Sequence, residues 1–148
     1  MEENKEAIRE FYATCAFPKE GKKKKKKKKQ NGWKGKAHRR CRYTGRTCAE
    51  RHELFYGSGK HQISIDLGFQ VDLCPPIHRL FHGIVGKADL EALNVPGMFP
   101  DPKKWAAKEV EELRQGCQES WEAKQTELGI TPEEARARWI ELIGRSYL

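Results

Sequence analysis

No apolar run in this chain approaches the roughly twenty residues that a membrane-spanning helix requires, and the opening MEENKEAIRE has no apolar stretch of the kind an export signal carries. Glu2 stands where a myristoylation signal needs glycine. Cysteine is sparse and odd in number. Cys15, Cys41, Cys48, Cys74 and Cys117 do not make a disulfide framework and read as thiols or metal ligands. Together these absences exclude a membrane partner and lead us to expect a cytoplasmic protein. No internal repeat is present. The length, 148 residues, suits one modest domain with its own core.

Negative charge is the other scarce commodity, and its scarcity is local. The chain carries 29 basic and 21 acidic residues, net +8. Between Lys22 and Lys60, however, sixteen lysines and arginines stand against only Glu50 and Glu53. Half of them are the unbroken run Lys22, Lys23, Lys24, Lys25, Lys26, Lys27, Lys28 and Lys29, and without that run the chain is balanced. Eight consecutive lysines cannot pack as a core. With Lys34, Lys36, Arg39, Arg40, Arg42 and Arg46 they form the electrostatic footprint of a polyanion binder, because such side chains release condensed counterions on meeting phosphates. The expected partner is the phosphate backbone of DNA, with RNA left open.

Residues 1–36 are expected to form a short N-terminal helix, with Ile8, Phe11 and Tyr12 at helical spacing, followed by a flexible polylysine arm. Residues 37–148 read as an α+β body. HELF and FQVDL are short, apolar strand candidates, with YGSGK as a loop after the first. Pro75 and Pro76 then open a helix, since proline loses nothing in the first turn, and Gly83 or Gly86 closes it. Asp101-Pro102 starts a long helix whose face carries Trp105, Val110, Leu113, Cys117, Trp121 and Leu128, interrupted at Gly116, where a close contact or bend is expected. Thr131-Pro132-Glu133-Glu134 reads as a capping box before a last helix with Ala135, Trp139, Leu142 and Ile143 inward.

The chemistry sits in CPPIHRLFH. His78 and His82 are four residues apart on a helix, one turn above each other, a spacing two metal-binding imidazoles can use. A catalytic ion usually takes three protein ligands and keeps a position open. His52, from a separate strand and followed at once by Glu53, is the preferred third ligand over His38 and His61.

In this order, His52-Glu53 on a strand, a second strand, then Cys74 and the His78/His82 helix, the chain resembles the ββα-metal core of the HNH endonucleases. RHELFYGSGKHQISIDLGFQVDLCPPIHRLFHG is similar to small phage-encoded HNH proteins of the recombination-nuclease type, and the closing WIELIGRSYL extends the likeness over about two-thirds of the chain. The resemblance implies a phage or prophage nuclease that hydrolyses DNA phosphodiester bonds with little sequence specificity. A divalent ion (magnesium, manganese, nickel or zinc) would be held by His52, His78 and His82, with Glu53 as general base. In an alternative alignment His52 is the base and an unidentified group completes the metal set.

The chain also departs from the family. Relatives commonly carry two C-x-x-C pairs for a structural zinc, whereas here Thr44 follows Cys41 and Ile77 follows Cys74 at the second positions. Cys41, Cys48 and Cys74 are what remains for such a zinc, and the reading adopted is that the zinc is lost and the cysteines persist as small buried hydrophobes. Two other functions stay open: an HNH fold that binds nucleic acid without cutting it, and an effector that binds a host or phage recombination protein.

Overall fold

The computed structural model describes residues 35–84 and 86–148. The expected N-terminal helix, the lysine run of residues 22–29, Lys34 and Cys15 lie outside the described residues. After a single 3₁₀ turn at Lys36–His38 come strand β1 (Glu50–Glu53), helix α1 (Lys60–Leu67), strand β2 (Gln70–Leu73), helix α2 (Pro75–Phe81), the short helix α3 (Lys87–Glu91), the long helix α4 (Pro102–Glu127) and helix α5 (Pro132–Ile143). The chain is therefore mixed α+β. Its two strands pair antiparallel, with Glu50 opposite Leu73 and His52 opposite Val71. Among the described residues no helix is long and apolar enough to cross a membrane.

One expectation about the elements is corrected, and one helix was not expected. The first strand is ERHE, two residues earlier than HELF; Leu54 and Phe55 bend away from the ladder into the core, where both are 3% exposed. The segment after YGSGK is helical. Ile63, Ile65 and Leu67 recur every second residue, a strand period, and so hide the helix. What holds α1 is a buried hydroxyl: Ser64 Oγ donates to the Phe55 carbonyl (2.7 Å) and accepts from the Phe55 N–H (3.0 Å). Gly59 and Gly68 bound the helix in the left-handed conformation that glycine adopts most easily.

The core gathers around the buried ring of Trp139, which meets Phe55, Phe69 and Trp121 edge-on or tilted at centroid distances of 5.6–5.7 Å. Leu73, Ile77, Leu80 and Ile143 complete it, so α4 and α5 supply hydrophobic cover to the sheet and to α2. Asp101 caps α4 by accepting from the Lys104 N–H (3.0 Å), and Thr131 caps α5 by accepting from the Glu134 N–H (3.2 Å). Glu134 itself turns to Arg138, so of the expected capping box the hydroxyl half is formed. Leu128, expected on the buried face of α4, lies beyond its end and is exposed.

Gly116 causes neither a bend nor a close approach. Helix α4 runs unbroken through it, and a methyl group there would meet no atom within 4 Å. Gly116→Ala is accordingly expected to raise stability by about 0.5–1 kcal/mol, through helix propensity alone, in an equilibrium denaturant titration. A lowered midpoint would mean that the open space beside Gly116 is filled in solution.

The C-terminal tail is tied down by polar groups. Gln118, fully buried, accepts from the Tyr147 N–H (2.6 Å) and donates to Glu122 (2.6 Å), while Arg136 grips the same carboxylate with two bonds of 2.6 and 3.0 Å. The hydrogen bond from Arg136, joined by that from Gln118, holds the Glu122 carboxyl below its ordinary value of 4.5. A carboxyl depressed in the folded state stabilises the fold above its unfolded pKa and ceases to do so as pH falls through the folded one. Thermal midpoints should therefore fall below about pH 4.5 more steeply in wild type than in Glu122→Gln. Parallel acid limbs would show that the Arg136–Glu122 pair carries no stability.

Candidate metal centre

Helix α2 presents its histidines because its ends are so well specified. Cys74 is the extended N-cap, Pro75 and Pro76 fill the first turn, and Gly83, at φ 74°, leaves the helix in the left-handed region. His82 is the C-cap but keeps near-helical geometry, its N–H shared between the carbonyls of His78 and Arg79 (3.3 and 3.1 Å). Ile77, Leu80 and Phe81 bury one side of α2, and His78 and His82 border that side toward β1.

In β1, alternation puts Glu50 and His52 on the face shared with Leu73 and Val71, and Arg51 and Glu53 on the other. His52 is 1% exposed. Its ring lies 5.1 Å from that of His78 and 4.8 Å from that of His82, and the latter two are 5.1 Å apart, a nearly equilateral triangle. One ring nitrogen from each lies within 4.8 Å of the others, and this is the one such ligand group among the described residues. Nitrogens about a single ion at 2.0–2.1 Å sit roughly 3.3 Å apart, so small side-chain rotations close the set.

Two features of the rings fit a metal. His52 Nε2 is buried and has no hydrogen-bond partner, an orphan that an ion would satisfy. His78 Nδ1 lies 2.8 Å from Glu50 Oε2, which assigns the proton to Nδ1 and leaves the Nε2 lone pair free. Burial first, then the neighbouring His78, His82 and Arg114, push the His52 pKa down to about 3, so His52 is neutral and competent as a ligand. Its burial also argues against the alternative in which it acts as the base. Burial and His78 likewise lower His82, with Glu53 pulling in the opposite direction. The hydrogen bond to His78, with lesser help from Lys36, holds Glu50 below the usual carboxylate range.

Glu50 is the site residue that sequence reasoning missed. Its signal was present, since it stands two residues before His52 in a strand, but a strand begun at His52 excludes it. As the carboxylate behind a ligating imidazole, it orients the ring and raises its basicity. In metal titrations of the chelator-treated protein, Glu50→Ala should weaken divalent-ion affinity by about 10–100-fold, and Glu50→Gln by less. Unchanged affinity in Glu50→Ala would dissociate Glu50 from the site.

Glu53 lies on the opposite face of β1. It accepts from Gln70 Nε2 (3.0 Å), its partner across the ladder, and approaches His61 Nδ1 at 3.8 Å. His61 and His38 are exposed and outside the triangle. The expectation that the three cysteines persist as small buried hydrophobes is corrected for Cys48. Cys41 and Cys74 are buried, but Cys48 is exposed, at φ 59°, so the three cysteines form no ligand group among the described residues. Ile77, which stands where the second pair would have its other cysteine, is fully buried, so packing occupies that place.

Of the basic residues within the described part, Lys36, Arg40, Arg42 and Arg46 are exposed and Arg39 is half-buried. Lys36 pairs with Glu50 (3.4 Å), Arg40 reaches the Gly45 carbonyl (3.5 Å), and Arg46 donates to the Ala92 carbonyl (2.9 Å). Comparison with family models, with curated proteins and with solved structures finds no match for this chain.

Proposed function

We infer that this chain is a metal-dependent endonuclease of the HNH type, with a ββα-metal core made by β1, β2 and α2 and interrupted by α1, that cuts DNA phosphodiester bonds with little sequence selectivity. The observation that carries this reading is the triangle of His52, His78 and His82, with one buried ring nitrogen unpartnered and one ring braced by a carboxylate. The resemblance of RHELF and CPPIHRLFH to phage-encoded HNH proteins supports the same activity and a phage or prophage origin.

His52, His78 and His82 would hold the ion. When bound, a divalent ion supplies Lewis-acid stabilisation of charge on the scissile phosphate and the leaving oxygen. Glu50 keeps the His78 ring turned with Nε2 forward. Acceptance of a proton from the attacking water falls to Glu53, which must give up the Gln70 amide and, because it lies on the opposite face of β1, needs a bend of the backbone at the strand's end to reach the site. The lysine run and the exposed arginines hold backbone phosphates, which positions a nucleic acid without reading its bases. Glu53 facing away from the triangle favours a second reading, nucleic-acid binding without hydrolysis.

The deciding experiment is nicking of supercoiled plasmid by chelator-treated protein, with magnesium, manganese, nickel or zinc returned one at a time. Nicked circles that form only with a returned metal support the nuclease. Salt-sensitive DNA binding with no scission under any metal would sink it in favour of the second reading.

A further inference from the structure

Beside the three imidazoles lies an aromatic ring with no structural task that accounts for its exposure. Tyr56 follows the buried pair Leu54-Phe55, is 51% exposed, and sits 5.7 Å from the His82 ring and 6.3 Å from that of His52. Helix α4 sends Arg114 to the same spot. Its Nε donates to the Leu54 carbonyl (2.9 Å), and its Cζ lies 5.5 Å from the Tyr56 centroid and 5.8 Å from that of Phe55. Among the described residues no carboxylate pairs with Arg114. A fixed cation and a half-open aromatic face therefore stand together within one nucleotide's reach of the candidate metal centre.

We propose that Tyr56 and Arg114 form a nucleotide subsite in which Tyr56 stacks an unpaired base and the guanidinium of Arg114 pairs with a backbone phosphate, so that the preferred substrate is single-stranded or locally opened. The proposal rests on the nuclease reading only for the nature of the ligand. Within a duplex the faces of each base are covered by its neighbours, so only an unpaired or extruded base offers a face to an exposed ring. Base–aromatic stacking is tolerant of sequence, in keeping with a site that shows no base-reading groups. Arg114 suits the phosphate because its fork is planar and already held by the Leu54 carbonyl and two rings.

The test uses the full chain in chelator, where nothing is cut. A 12-nucleotide single strand carrying 2-aminopurine and the duplex of the same sequence are titrated at matched salt, so that the lysine run contributes equally to every variant. Tyr56→Leu, which keeps apolar bulk, and Tyr56→Ala should each lose roughly 5- to 100-fold in single-strand affinity together with the fluorescence quenching, leaving duplex affinity unchanged, and Tyr56→Phe should retain both. Arg114→Ala should reduce the single-strand salt slope by about 0.7. Wild-type single-strand affinity in Tyr56→Leu, or equal losses on single strand and duplex, would overturn the subsite. Because binding is read without metal, a chain that never nicks plasmid can still pass this test, and an active nuclease can fail it.

Discussion

His82→Ala should abolish metal-dependent nicking while leaving DNA binding near that of wild type. His82 is exposed at the end of α2, makes no side-chain hydrogen bond among the described residues, and lies off the buried stripe of Ile77, Leu80 and Phe81. Its removal opens no cavity, and a surface change of this kind shifts stability by only about 0.5 kcal/mol. It does take one of three donors from the triangle, whose other members lie on two different elements. Loss of an outer carboxylate behind a ligand weakens binding about 10–100-fold, and loss of the ligand itself must exceed that, placing cleavage below detection at micromolar metal. Metal titration and plasmid nicking should fail together, while the salt dependence of DNA binding, set by the lysine-rich segment, stays unchanged. Full nicking by His82→Ala would reject the triangle as the metal centre.

The largest effect on stability is expected from Trp139→Ala. The ring is fully buried, touches Phe55, Phe69 and Trp121, and its Nε1 donates to the Arg145 carbonyl (3.1 Å). Truncating a buried tryptophan costs about 3–5 kcal/mol, because the vacated volume cannot fully collapse. That is a large share of a domain's stability and should lower the melting temperature by roughly 10–20 °C. The consequence for the site is direct, since Phe55 adjoins Tyr56 and is held by Ser64, so loosening the Trp139 cluster frees the segment that carries the rim of the metal centre. Trp139→Phe, which keeps most of the volume and loses the indole donor, should cost less. A melting temperature within 3 °C of wild type for Trp139→Ala would mean that the C-terminal helices do not stabilise the sheet.

Local chemistry was legible wherever a residue acts through its immediate neighbours. Two prolines and a glycine bound α2, Asp101 and Thr131 start α4 and α5, and the i, i+4 spacing of His78 and His82 sets their shared side. Helix α1 was not legible, because its stability comes from Ser64 reaching a backbone nine residues away rather than from an amphipathic stripe. Gly116 misled for a related reason: a glycine in a helix signals a contact only if something approaches it, and nothing does.

Sequence alone determined the α+β composition, the starts of α2, α4 and α5, the confinement of excess positive charge to one segment, and the choice of His52 as companion to His78 and His82. Only the tertiary structure decided that His52 is buried with a nitrogen unpartnered, that Glu50 rather than Glu53 shares its face, that Cys41 and Cys74 are buried while Cys48 is exposed, and that Arg114 returns across sixty residues to Leu54 and so to the neighbouring Tyr56 ring. Propensity, capping and periodicity act over a few residues and can be read along the chain. Burial, strand register and the meeting of side chains from separate elements depend on how the whole core packs, and no short stretch of sequence contains that information.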